Sequence, residues 1–265
     1  MLRTLTDLWR YRGFIIAEVS RQLQVRYLGS VLGASWTLLN PLAMILIYTL
    51  VFSRLMGARL PGLDGPFAYA VYICAGLLPW GLFQDHITRS VNLFLDHANL
   101  IKKVAFPTST LPAIVALGVT LDFVLIFAVF LLFLLAAGHP PGPRLLAMLP
   151  LLALQLALSS GLGMLVAVLN VFFRDVGHVS AIVLRLWFWL TPIVYPLSIL
   201  PDWVLPWVQW GNPMTPLVQG YQTILLLGQW PDWRSLWLPG LWSAALLWGG
   251  VRLYRARAAE ILDEL

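Results

Sequence analysis

The most regular feature of the sequence is a series of long apolar runs separated by short polar or proline-rich segments. A helix that crosses a membrane needs about 20 mostly apolar residues. Six runs reach or approach that length: residues 34–56, 67–84, 111–137, 145–172, 179–199 and 236–251. Lipid offers backbone groups no hydrogen-bond partner, and the runs are too long for barrel strands, so each run is expected to be helical. The pattern predicts an all-α membrane protein with six transmembrane helices.

The first 33 residues follow a different pattern, in which apolar positions recur at helical spacing between charged ones. One face of the predicted helix contains Leu5, Leu8, Trp9, Arg12, Ile16, Val19 and Leu23. The charged residues Asp7, Arg10, Glu18 and Arg21 fall elsewhere. This periodicity predicts an amphipathic helix on the membrane surface, followed by an elbow into the first span.

A second segment that does not span lies between the fifth and sixth runs, at about residues 201–233. Trp203, Trp207 and Trp210 follow one another at i, i+4 and i+7, so a helix would present three indoles on one face. Tryptophan prefers the headgroup level of a membrane. We therefore expect short interfacial or re-entrant helices on the outer side.

Composition and charge agree with a membrane protein and indicate its orientation. Hydrophobic residues make up 60% of the chain and charged residues 11%, against about 45–50% and 25% in soluble domains. Of the 17 Lys and Arg residues, twelve lie on the predicted side that holds both termini. The positive-inside rule then places both termini, including a tail at residues 258–265, in the cytoplasm.

Residues that could carry chemistry are sparse. The two lysines, Lys102 and Lys103, are not preceded by the glycines of a phosphate-binding loop, so we expect no ATP site in this chain. The four histidines are scattered and Cys74 is the single cysteine, so we predict no metal site and no catalytic residues. Asp85, His86 and Arg89 are interpreted as a solvated helix end.

Two charged residues fall inside predicted spans, Asp122 in the third and Arg185 in the fifth. A charge at the centre of a bilayer is costly, so each must face the bundle interior or a partner. Two interpretations remain open at this point. The residues either line a transport pathway or form a mutual pair that fixes helix packing.

Four stretches, taken together and in order, resemble a known family. They are "VRYLGSVLGASWTLLNPL" from Val25, "NLFLDHANLIKKVAFPTSTLP" from Asn92, "NVFFRDVGHVSAIVLRLWFWLTPIVYPLSILP" from Asn170 and "NPMTPLVQGYQ" from Asn212. Each is similar to a segment of the permease subunit of type-2 ABC exporters, specifically the polysaccharide and O-antigen exporters. The resemblance covers nearly the whole chain.

The resemblance implies a homodimer that works with two copies of a separate ATP-binding cassette subunit. ATP and Mg would be held by that partner, and this chain would itself be no enzyme. The family's coupling helix would fall at about residues 90–103. Candidate ATPase-docking residues on it and on the N-terminal helix are Leu8, Trp9, Leu93, Phe94, Leu100, Ile101 and Lys102.

By the same resemblance, the chain would form a channel for lipid-linked polysaccharide, O-antigen first, across the bacterial cytoplasmic (inner) membrane. Sugar rings stack on aromatic side chains, so the candidate channel-lining residues are Trp36, Asn40, Tyr48, Phe52, Trp187, Trp189 and Tyr195. Residues 201–233 would form an outer gate. The alternatives are a type-2 exporter of a drug or lipid and a membrane-embedded polysaccharide polymerase. The expected partners also include membrane lipid but no nucleic acid.

Overall fold

The computed structural model describes residues 9–27, 39, 43–44, 46–47, 50–51, 68–103, 110–138, 140 and 142–265. The regular structure in these ranges is entirely helical, which confirms the predicted all-α class for this part of the chain. Most of the first predicted span lies outside the described residues. So do five candidate site residues: Leu8, Trp36, Asn40, Tyr48 and Phe52.

Ten α-helices follow one another along the described chain: α1 Arg12–Tyr27, α2 Ala68–Val91, α3 Leu93–Asp96, α4 Ala98–Lys103, α5 Leu111–Ala136, α6 Met148–Phe172, α7 Asp175–Leu190, α8 Leu205–Gly211, α9 Met214–Gln222 and α10 Trp237–Glu264. Short 3₁₀ turns occur at Pro143–Ala147 and Leu197–Ile199, and a π-helical turn at Thr223–Leu227.

Two of the described helical segments are long and apolar enough, by length and composition, to cross a membrane. They are Leu111–Ala136, with a mean hydropathy of 2.8, and Pro143–Phe172, with 2.0. Helices α2, α7 and α10 overlap the second, fifth and sixth predicted spans.

The bounds of the later helices differ from the sequence prediction. Helix α7 ends at Leu190 rather than at residue 199. Proline has no backbone N–H and disfavours helical geometry in the residue before it, so Pro192 ends the helix. Helix α10 continues to Glu264, so the predicted tail at residues 258–265 is mostly helical.

The two ends of the helix bundle differ in composition. The basic end contains α1, α3, α4 and the last turns of α10, and includes Arg12, Arg21, Lys102, Arg174 and Arg257. The tryptophan end contains α8 and the loops beside it, and includes Trp203, Trp207, Trp210, Trp230 and Trp233. Helix α6, about 37 Å long at 1.5 Å per residue, runs between the two ends.

Helices α6 and α10 approach each other closely because glycines face each other at their contact. A Cβ atom added to Gly161 would lie 2.5 Å from the backbone nitrogen of Leu247. A Cβ added to Gly250 would lie 2.8 Å from the carbonyl oxygen of Gly161. Small residues at such positions let helix backbones pack closely inside a membrane. The α6–α10 pair therefore depends on the absence of side chains at both glycines.

Helix α9 is buried among the other helices rather than lying on the surface. Eight of its nine residues are buried, including Tyr221 and Gln222. Asn212, just before it, accepts hydrogen bonds at Oδ1 from the Trp187 indole N–H at 2.8 Å and the Met214 backbone N–H at 3.0 Å. Its amide donates to the Thr191 hydroxyl at 2.9 Å. Asn212 thus fixes the end of α7 to the start of α9.

Helix α1 packs on the bundle through a face that includes Val19, as predicted, but also Ile15 and Glu18, which the predicted face did not include. Ile15 and Val19 are buried, whereas Ile16 and Trp9 are exposed. Glu18 is buried too, and accepts hydrogen bonds from the Arg21 guanidinium at 2.6 and 2.9 Å and from the Gln22 amide at 3.1 Å. The hydrogen bonds from Arg21 lower the pKa of Glu18 below its usual 4.5. These hydrogen bonds compensate the burial of the Glu18 carboxylate on the packed face of the helix.

Replacing Gly161 or Gly250 by alanine should destabilise the protein by about 1–3 kcal/mol, the range for overpacking a close contact. Thermal unfolding in detergent would measure this loss. Gly249→Ala is the matched control, because a Cβ at that position meets nothing within 4 Å. Equal melting temperatures for Gly249→Ala and Gly250→Ala would contradict the close-contact account.

Glu18→Gln should lower stability by about 1–2 kcal/mol at pH 7, the range for hydrogen bonds to a charged group. Since folding lowers the pKa of Glu18, its contribution is full above the unfolded value near 4.5 and is lost as pH falls through the folded value. The difference in stability between the wild type and Glu18→Gln should therefore disappear below the pKa of Glu18 in the folded state. Glu260→Gln, which removes an exposed ion pair with Arg257, should change stability less.

Candidate functional site

A cavity of ≈ 580 Å³ lies between α2, α5 and α7, beside the described residue Met44. Most of its lining is apolar or aromatic, and includes Trp80, Phe123, Phe188 and Trp189. Among the described residues, the polar and charged side chains that line it are Gln84, Asp85, Asp122 and Arg185. The structure thus brings both predicted intramembrane charges, Asp122 and Arg185, to the same cavity.

Asp122 is paired with Arg89, not with Arg185. The Arg89 Nη2 lies 2.5 Å from the Asp122 Oδ2 and 2.6 Å from the Asp85 Oδ2. The Arg89 Nε donates to the Asp85 Oδ1 at 3.0 Å. This arrangement overturns the mutual pair of Asp122 and Arg185 as an interpretation. It also corrects the view of residues 85–89 as a solvated helix end, because Arg89 joins α2 to α5 and His86 is buried.

Arg185 lines the same cavity from α7, whereas this charge cluster belongs to α2 and α5. Arg185 is exposed, and it takes part in none of the ion pairs among the described residues. Ten residues separate it from the start of α7, or about 15 Å of helix. A guanidinium at that depth in a membrane needs water or an anionic partner.

Two of the predicted channel-lining aromatics differ in their surroundings. Trp189 lines the cavity and is exposed. Trp187 packs edge-on against Phe83, with ring centroids 5.2 Å apart, and its indole N–H is bound by Asn212. These contacts give Trp187 a packing role within the described chain.

The third described candidate, Tyr195, lies in the segment after α7 and donates a hydrogen bond to the Trp189 carbonyl at 2.8 Å. Its own carbonyl accepts a hydrogen bond from the Tyr72 hydroxyl, also at 2.8 Å. The Tyr69 hydroxyl similarly donates to the Val194 carbonyl at 2.8 Å. Two tyrosines of α2 therefore hold the Thr-Pro-Ile-Val-Tyr segment against the bundle.

At the basic end, the apolar residues predicted to dock a partner are buried. Leu93, Phe94 and Ile101 are at most 8% exposed. Together with Ile15, Val19 and Ile261 they belong to one cluster, here called the basic-end cluster, which extends into α5 and α6. Phe94 stacks on Tyr254 of α10, with ring centroids 5.7 Å apart. The predicted apolar docking face is therefore internal, because α1 and α10 cover it.

The solvent-exposed surface of the α3–α4 segment is polar. Asn92, Asp96 and Lys102 are exposed there. The segment is not one helix over residues 90–103, as predicted, but two short helices separated by a turn at His97. A docking role for Leu100, for Lys102 and for Trp9, which is 72% exposed, stays a prediction.

At the tryptophan end, Trp203 and Trp207 are each 76% exposed and Trp210 is 51% exposed. Helix α8 begins at Leu205, so Trp203 precedes the helix instead of sharing its face as predicted. Trp210 stacks on Trp237 at a centroid distance of 6.5 Å. These exposed indoles form a belt at one end of the bundle. Their role as an outer gate stays a prediction.

Comparison with known proteins identifies the family of this chain. The sequence pattern of the ABC-2 type transporter family matches residues 14–226. The chain belongs to this family. It is 33% identical, over the full length of both chains, to the O-antigen export system permease protein RfbA of Myxococcus xanthus. It is 29% identical to the RfbA permease of Klebsiella pneumoniae, over 81% of this chain and 80% of that protein.

A further relative is the polysialic acid transport protein KpsM of Escherichia coli. It is 26% identical over 94% of this chain and 98% of that protein. The matched family region contains every described helix that lines the cavity and most of those at the basic end, including α2, α5 and α7.

Sequence reasoning missed Arg89 and Asn212 as structural residues. Arg89 lies at the end of a predicted span, where a basic residue normally faces water, so its contact with Asp122 had no local signal. For Asn212 there was a usable signal, namely its position beside Pro213 at the start of a helix. An asparagine before a helix often caps its first backbone N–H groups.

Asp122→Asn should cost about 1.5–3 kcal/mol of stability, the range for a hydrogen bond to a charged group, because it leaves Arg89 with one carboxylate. Asp85→Asn should cost no more than about 1 kcal/mol, since the Asp85 side chain is 41% exposed. Unfolding in detergent would compare the two variants.

A double-mutant cycle identifies the partner of Asp122. The cost of Asp122→Asn should shrink in an Arg89→Gln background and stay unchanged in an Arg185→Gln background. Coupling to Arg185 instead of Arg89 would contradict the observed pairing.

Proposed function

We propose that this chain is the channel-forming permease subunit of an ATP-driven exporter of lipid-linked polysaccharide, with O-antigen the first candidate. The observation that carries the proposal is the full-length similarity, at 33% identity, to a permease named for O-antigen export. Similarity to a polysialic acid transport protein supports a polysaccharide over a drug or a lipid as substrate. None of the relatives named above is called a polysaccharide polymerase.

In this proposal the chain crosses the bacterial cytoplasmic membrane six times and keeps both termini in the cytoplasm. Helices overlap the second to sixth predicted spans, which supports the count. The basic end faces the cytoplasm, in accord with the excess of Lys and Arg there. At that level α1 lies on the membrane surface. Its buried face packs on the bundle, and Trp9 and Ile16 are exposed on its other side.

The energy comes from a separate ATP-binding cassette subunit, present in two copies, which holds ATP and Mg. The sequence of this chain has no Gly-x-x-x-x-Gly-Lys-Ser/Thr segment that could bind the nucleotide phosphates. The ATPase docks on the exposed side of α3 and α4, at Asp96 and Lys102. Beneath that surface the basic-end cluster connects α3 and α4 to α1, α5, α6 and α10.

This connection suits the transmission of movement. Side chains in a close-packed cluster cannot move independently, so a displacement of α3 shifts its neighbours with it. ATP binding in the partner subunit would thus move whole helices as rigid bodies. The basic-end cluster is the part of the chain that transmits the movement.

The exporter is a homodimer in this proposal, with the channel between the two copies. Helix α7 supports this arrangement because, of its sixteen residues, Leu184 alone is buried in the described chain. Ile182, Leu186 and Trp189 are all more than half exposed. The first span and α7 of each copy form the channel wall. Trp189 and Tyr195, with Trp36, Asn40, Tyr48 and Phe52, offer surfaces for sugar rings, and the tryptophan end forms the outer gate.

Co-purification from membranes tests the docking surface. The wild-type chain should elute with an ATPase subunit in equal amount. Charge reversal by Asp96→Lys together with Lys102→Glu should release that subunit, because both side chains are exposed on the proposed contact.

Arg234→Glu is the control for this experiment. It reverses the charge of an exposed residue at the tryptophan end, and should leave the complex intact. Purification of the wild-type chain without any ATPase, even after mild crosslinking, would contradict the permease proposal. Retention of the ATPase by the double charge reversal would contradict the docking surface alone.

A further inference from the structure

The cavity between α2, α5 and α7 has a distribution of charge that the export proposal does not use. Asp85 and Asp122 both contact the guanidinium of Arg89, and the Asp85 side chain, 41% exposed, lines the cavity. Arg185 of α7 lines the same cavity, carries a positive charge and forms no ion pair among the described residues. The lining therefore presents a negative and a positive group to the same space.

Apart from Gln84, the remaining described lining of the cavity is apolar. Along α2 it extends from Asp85 to Cys74, eleven residues or about 16 Å of helix. Leu77 and Leu78 belong to this stretch, and Ile126 of α5 faces the same space. The volume of ≈ 580 Å³ lies within the range of about 300–1,000 Å³ for small-molecule sites. The cavity thus suits an amphipathic molecule with a charged head at Asp85 and an apolar chain along α2.

We propose that the cavity binds one zwitterionic phospholipid of the surrounding membrane, of the phosphatidylethanolamine class. Its phosphate lies against the Arg185 guanidinium, which matches phosphate oxygens with two parallel N–H donors. Its primary ammonium donates a hydrogen bond to the carboxylate of Asp85. The Asp85 side chain is 41% exposed. The apolar lining along α2 takes part of one acyl chain.

Other common headgroups satisfy this site less well. An anionic headgroup such as phosphatidylglycerol pairs with Arg185 but brings a second negative charge near Asp85. A quaternary ammonium, as in phosphatidylcholine, has no N–H to donate to a carboxylate. The combination of Asp85 and Arg185 therefore selects a head that has both a phosphate and a primary amine. This site concerns a bilayer lipid, so it does not depend on the identity of the exported substrate.

Native mass spectrometry of the purified full-length chain, with and without its ATPase partner, tests the proposal. Phosphatidylethanolamine, phosphatidylglycerol and phosphatidylcholine with identical acyl chains would be titrated in turn. We expect one phosphatidylethanolamine per chain, bound at least about tenfold more tightly than the other two, as for one added charge-assisted hydrogen bond.

Two variants assign the contacts. Asp85→Asn should remove the preference and reduce phosphatidylethanolamine binding to the level of phosphatidylcholine. Arg185→Gln should weaken all three lipids about tenfold, through the loss of the phosphate contact. Arg174→Gln is the matched control at the start of the same helix, because Arg174 is exposed and does not line this cavity.

The ranking of the three lipids on the wild-type chain decides the outcome independently of the variants. Equal binding of the three, or tightest binding of phosphatidylglycerol, would overturn the proposal. So would unchanged binding by a folded Arg185→Gln chain. Because the readout is lipid binding and not export, a failure here is distinguishable from a failure of the permease assignment.

Discussion

A charged side chain inside a helix bundle in a membrane needs a partner or water, and Arg89 is the partner of two carboxylates of this chain. Its guanidinium joins Asp85 of its own helix to Asp122 of α5. Breaking such a pair leaves an uncompensated charge, so α2 and α5 are held together at this level. The junction closes one side of the cavity and lies one turn from the α3–α4 segment. The cavity and the basic-end cluster are therefore connected through α2.

A second constraint, the close approach of helix backbones, determines the other side of the bundle. Gly161 and Gly250 bring α6 against α10, and a Cβ on Gly163 would lie 2.6 Å from the Ser90 hydroxyl of α2. Helix α6 is thus fixed to both neighbours. Because α10 continues to Ile261 in the basic-end cluster, the last turns of the chain pack with α1. A force applied at α3 and α4 would reach three long helices, α5, α6 and α10.

The sequence alone was sufficient to predict the helical class and the approximate positions of the helices. Long apolar runs can satisfy their backbone only as helices, so that prediction needs no tertiary information. It was not sufficient to predict which groups meet. Asp122 and Arg185 both lie in predicted spans, which left a mutual pair open, whereas Arg89, which contacts Asp122, is 33 residues away at a helix end. The apolar face of α3 and α4 was equally ambiguous, because Leu93 and Phe94 fit a partner protein as well as α1 and α10.

Transport in a reconstituted system tests the central claim most directly. The chain and its ATPase subunit would be inserted into vesicles that contain lipid-linked polysaccharide, and the appearance of the polysaccharide on the far side of the membrane would be followed. The account predicts movement that requires ATP, Mg and both subunits. Polysaccharide that crosses without the ATPase subunit, or that fails to cross with a complete and ATP-hydrolysing complex, would contradict it.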